Sequence, residues 1–113
     1  MHIIYKNNRL EEELTNTDLL IRRYDATIAK NVKRRIAVLA AVPDLAQPGL
    51  YVKPLLCHQL RGDRDEEFAV RVNAAYRIIF VPADPVVGRK PDKGIDTARV
   101  TTICITELSN HYD

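Results

Sequence analysis

At 113 residues, 46% of them hydrophobic, the chain holds one domain (1–113) with a single modest core, which argues against wholesale disorder. The opening MHIIYKNNRLEEEL lacks the apolar run of a signal peptide, and nothing downstream is long and apolar enough to span a bilayer. Cys57 and Cys104 have no metal-type spacing and read as reduced thiols, so a cytoplasmic protein is expected. Net charge is only +2, but Arg22, Arg23, Lys30, Lys33, Arg34 and Arg35 cluster against Asp25, a pattern that fits a soluble surface first and an acidic or nucleic-acid partner second.

In chain order, HIIY at 2–5 predicts a short first strand. KNNRLEEELTNTDLLIRRYD reads helical, with Leu10, Leu14, Leu19 and Leu20 inward, and TNTD either breaks it or caps a second piece. Asp25 is placed to N-cap a longer helix from Ala26 to about Val42, whose Ile28, Val32, Ile36, Leu39 and Ala40 recur as one buried face until Pro43 ends it. PDLAQPGLYVKPL, with three prolines and one glycine, predicts a loop.

The period then changes to two. Phe68, Val70 and Val72 alternate with Ala69, Arg71 and Asn73 as in a half-buried strand. Across the turn Asn73-Ala74-Ala75, Tyr76–Val81 is apolar on both sides and is predicted to be central. PADPVVGRKPDKGIDTA is a long, mobile connection, and the β-branched run RVTTICITEL closes the sheet. The expected architecture is α+β: two N-terminal helices packed on one face of a small, mainly antiparallel sheet, with the other face partly open.

The chemistry concentrates on that open face. Cys57 and His58 are neighbours on an extended segment and point to opposite sides, which leaves Cys57 as a small core residue rather than half of a thiol–imidazole dyad. His2, His58 and His111 do not have metal-ligand spacing, and there is no glycine-rich phosphate loop. Acid–base and electrostatic chemistry remain. His58 and His111 bracket the sheet, and Arg61, Arg64 and Arg77 supply planar forks that match phosphate oxygens. Spacing alone supports a phosphodiester site and a solubilising charged rim equally.

The run CHQLRGDRDEEFAVRVNAAYRIIF is similar to the central signature of the HigB, or plasmid-maintenance killer, branch of RelE/ParE-type toxins. The matching residues are His58, Leu60-Arg61-Gly62-Asp63-Arg64, Phe68 and Tyr76-Arg77-Ile78-Ile79-Phe80, with further likeness in YKNNRLEEEL and GIDTARVTTICITEL. The resemblance implies a RelE-like fold and a type II toxin that acts as a ribosome-dependent mRNA endoribonuclease. It implies no metal or cofactor, and a cognate antitoxin that is commonly a helix-turn-helix, HigA-like DNA-binding protein. A ParE-like toxin, which inhibits a target such as DNA gyrase by binding, is the alternative on the same fold.

The family's site residues correspond to His58, Arg77 and His111. RNA cleavage through the neighbouring 2′-hydroxyl then assigns His58 and His111 to proton transfer and Arg77 to the scissile phosphate. Lys53, Arg61 and Arg64 are assigned to flanking phosphates or ribosomal RNA. Tyr76 or Tyr112 is assigned to base stacking, worth about 1–3 kcal/mol. The end of the chain departs from the pattern, with Ser109 and Asn110 where the family often has aspartate and tyrosine. Glu107 shares strand parity with His111, but four residues of strand separate them by about 13 Å.

Overall fold

The computed structural model describes residues 1–64 and 66–110. Its first strand, β1 (His2–Tyr5), leads into three helices rather than the expected two: α1 (Asn8–Thr15), α2 (Thr17–Arg23) and α3 (Ala26–Ala41). The break is Asn16, which closes α1 and whose side chain accepts from the Leu19 amide at 3.1 Å to start α2. A residue that hydrogen-bonds its own following backbone competes with continued helix. Asp25 caps α3 as expected, accepting from the Ile28 amide at 2.7 Å.

Ile28, Ala29, Val32 and Leu39 are the buried stripe of α3, and Ile36 is partly covered. Ala40, expected in that stripe, is exposed. Steps of four residues overshoot a 3.6-residue turn each time, so after Ile28, Val32 and Ile36 it is Leu39 that returns to the core side. The prolyl segment after α3 contributes more than a loop: Leu45, Leu50 and Leu55 are fully or almost fully buried.

The sheet has the order β1-β5-β4-β3-β2, formed with β2 (His58–Gln59), β3 (Phe68–Arg71), β4 (Tyr76–Pro82) and β5 (Thr102–Asn110). Among the described residues only β1 pairs in parallel, with β5; the other pairings are antiparallel, and β4 is central as its two apolar sides predict. The short strand β2 is an element that the periodicity did not reveal. The β3–β4 turn is set by Asn73, whose side chain accepts from the Ala75 and Tyr76 amides at 2.8 Å each.

Phe68, Val70, Ile78, Phe80, Ile103 and Ile105 face the helices and are buried, with the Phe68 and Phe80 rings stacked 5.7 Å apart. Between Ile79 and Phe80 the β4–β5 register shifts: Phe80 pairs with Ile105 and Ile79 with Glu107, leaving Thr106 as the extra residue of a bulge. The bulge turns Leu108 towards the core and places Glu107 and Ser109 beside Ile79 and Arg77 on the other face.

The connection from β4 to β5 is tied down along its length. Asp84 accepts from the Thr101 amide and hydroxyl, Arg89 bridges to Ile95, and Ile95 and Val100 are buried. Among the described residues, no helix is long and apolar enough to cross a membrane.

Candidate functional site

The face of the sheet away from the helices has a small apolar floor, Ala69 and Ile79, both almost fully buried. Around it lies a pocket of about 190 Å³ lined by His58, Leu60, Arg61, Arg64, Arg77 and Ser109 together with that floor. Residues 58, 61, 64 and 77 thus meet in one place, although they come from a short edge strand, a turn and the central strand.

Strand pairing explains the meeting. His58 lies opposite Ala69 in β3, Ala69 lies opposite Ile79 in β4, and Arg77 lies opposite Ser109 in β5. Alternation along β3 and β4 keeps these side chains on one face. Cys57, one residue before His58, is buried on the other side, as the alternation required. Burial pushes its thiol up to about 12, partly offset by a hydrogen bond with Tyr51, so it is inert at neutral pH.

His58 is exposed, and its Nδ1 lies 3.2 Å from the Leu56 carbonyl oxygen. A carbonyl only accepts, so this contact selects the tautomer with hydrogen on Nδ1 and leaves the Nε2 lone pair to accept a proton. Leu56 has φ of +46°, an uncommon left-handed geometry for leucine, and this bend delivers His58 to β2. Arg77 is half-buried and anchored, with Nη1 donating to the Asn73 carbonyl at 2.9 Å and to that of Tyr76 at 3.3 Å.

Arg64 ends a short 3-10 turn, Gly62–Arg64, and is bound to two carboxylates. Its Nε and Nη2 donate to the oxygens of Glu67 at 2.9 and 2.8 Å, and Nη2 also donates to Glu107 at 2.8 Å. Hydrogen bonds with Glu67 and then Glu107 hold the guanidinium pKa above its ordinary value, and the same Arg64 contact holds the Glu67 carboxyl below its own. Arg61 is exposed, without a partner among the described residues.

Two assigned residues stand apart. Tyr76 shares parity with Ile78 and Phe80, so it lies on the helix side, edge-on to Tyr24 with ring centroids 5.3 Å apart; this packing replaces its expected role of stacking on RNA beside His58. Lys53 lines a different cavity, with Arg35 and Arg71. His111 and Tyr112 lie outside the described residues. Glu107 and Ser109 join the site although sequence reasoning did not assign them a role, because the bulge that sets their face has no sequence signature. Among the described residues, no group of three or more His, Cys, Asp or Glu side chains is placed to hold a metal ion. An imidazole with a free nitrogen among arginine forks can accept a proton and neutralise a phosphate.

No protein-family model matches the chain, and no curated protein matches it in sequence. Solved structures do share its fold. A YoeB/ParE toxin from Agrobacterium tumefaciens superposes with a TM-score of 0.56 at 15% identity, covering 99% of this chain and 100% of that one. A YoeB-YefM complex and a YoeB dimer, both from Staphylococcus aureus, each give a TM-score of 0.56 at 12% identity, with 99% and 98% of the two chains covered. The chain therefore has the α+β fold seen in RelE/YoeB-type toxins.

Proposed function

We propose that this protein is the toxin of a type II toxin–antitoxin pair, in the HigB branch, and that it cleaves mRNA on the ribosome without a metal. The observation that carries this reading is the convergence of His58, Arg61, Arg64 and Arg77 on one pocket of a fold shared with YoeB/ParE toxins. In the proposed reaction the 2′-hydroxyl attacks the adjacent phosphorus, and the 5′-oxygen leaves with a proton. His58, through Nε2, is one proton-transfer group, and His111 is assigned as the other. Arg77 neutralises the phosphorane charge, and the anchoring of its Nη1 keeps the rest of the fork in place. The ribosome supplies the orientation of the substrate that so small a site lacks.

A cognate antitoxin, of the helix-turn-helix HigA-like kind, is proposed as the partner that silences it; the YoeB-YefM complex from Staphylococcus aureus is a precedent on this fold. The decisive experiment is primer extension on mRNA with and without ribosomes, for the native protein and for His58→Ala and Arg77→Ala. Cuts only with ribosomes, lost in both variants and ending in 2′,3′-cyclic phosphates, are expected. Growth arrest without any cut would instead favour a ParE-like inhibitor that acts by binding.

A further inference from the structure

A second cavity, of about 400 Å³, lies where α3, the bend at residues 53–56 and the β3–β4 turn meet. Arg35, Lys53 and Arg71 line it, with no carboxylate among its lining residues. Its walls are fixed from within: the Asn31 side-chain amide donates to the Val72 carbonyl at 3.2 Å, and Arg35 Nε donates to that of Arg71 at 2.9 Å. Arg71 is the direct cross-strand partner of Arg77. Like charges placed directly opposite in a sheet are destabilising, yet among the described residues neither Arg71 nor Lys53 has an acidic partner. Burial lowers the pKa of Arg35, and Arg34 and Arg71 lower it further. A bound anion would offset the mutual repulsion of Arg35, Lys53 and Arg71.

The cavity adjoins the first pocket. Leu56 lines it and accepts from His58, and Asn73 lines it and accepts from Arg77. We propose that it is a second phosphate pocket, which holds a backbone phosphate of the same single-stranded RNA whose scissile phosphate lies at His58 and Arg77. This rests on the nuclease reading for the identity of the strand.

The test measures anisotropy of a labelled, uncleavable 2′-O-methyl oligoribonucleotide against salt concentration, without ribosomes. Each single-strand phosphate contact contributes about 0.7 to the slope of log K against log salt, so Lys53→Gln with Arg71→Gln, which share one phosphate, should lower it by about 0.7. Lys53→Arg should preserve the slope. Lys30→Gln with Lys33→Gln, in the separate groove between α2 and α3, is the control and should leave it nearly unchanged. An unchanged slope in a folded Lys53/Arg71 variant, or an equal fall in the control, overturns the inference. Native protein that shows the slope effect yet cuts no mRNA on ribosomes would keep the pocket and remove the nuclease reading.

Discussion

Replacing Glu107 with glutamine should strengthen anion binding at the candidate site while hardly altering stability. Glu107 holds Arg64 through one hydrogen bond of 2.8 Å, and the two side chains are 46% and 44% exposed. At that exposure an ion pair contributes about 0.2–1 kcal/mol, because water screens it and ordering two long side chains costs entropy. Glu67 keeps its own two contacts with Arg64, so the guanidinium stays in place when Glu107 loses its charge. Urea unfolding of Glu107→Gln should therefore shift by less than about 1 kcal/mol. A phosphate entering the pocket no longer competes with Glu107 for the second Nη2 hydrogen, the first remaining with Glu67. Recovering about 1 kcal/mol of that competition corresponds to roughly fivefold tighter binding of an uncleavable oligoribonucleotide. The gain should disappear in Arg64→Ala, which a double-mutant cycle of the two positions would read directly. Unchanged or weaker binding in Glu107→Gln would show that Arg64 does not meet the anion, and that its pairing with Glu107 is structural only.

Gly62 has φ of +74° with open space where a Cβ would stand, so Gly62→Ala should cost about 1–2 kcal/mol from backbone conformation alone, and Gly62→Asn less, as thermal unfolding would show. Phe80→Ala removes a fully buried ring stacked on Phe68 and should cost about 3–5 kcal/mol in urea unfolding, leaving a barely folded chain. Cys57 is raised from an ordinary 9.0 to about 12, so the unfolded chain releases that proton first and stability should fall as pH rises from 9 towards 12. Near pH 9, before the raised hydroxyls of Tyr5, Tyr24 and Tyr51 begin to contribute, Cys57→Ala should remove the larger part of that fall and leave the share of Cys104.

The parts of this fold that were legible in the sequence are those set by short-range rules. Asp25 and the stripe from Ile28 to Leu39 announced α3, and the alternation from Phe68 to Val81 announced the central hairpin with Arg77 on its outer face. The same alternation placed Tyr76 with Ile78 and Phe80, which argues against its use at the site. Other features depend on distant contacts. Two residues of β2 carry no period, and their strand exists only because Ala69 and Phe68 lie opposite them. The leucines at 45, 50 and 55 sit among prolines, and only the assembled core shows why they are apolar. Lys53 and Arg61 are both exposed cations in the same stretch of chain, and only tertiary geometry sends them to separate cavities.

Thr106 gives the end of the chain an unusual kind of dependence. Its hydroxyl donates weakly to the Ile79 carbonyl at 3.3 Å, so its side chain contributes little that another residue would not. Its place outside the register is another matter. Were it instead paired in regular register opposite Ile79, Glu107 and Ser109 would exchange sides with Leu108, sending a carboxylate into the hydrocarbon interior and a leucine beside Arg77. The polar lining supplied by β5 is therefore specified by where its register breaks as much as by which residues compose it. Deleting Thr106 would straighten β5 yet leave Leu108 towards the core and Glu107 and Ser109 facing the pocket, so the lining survives loss of that residue but not loss of the bulge that accommodates it.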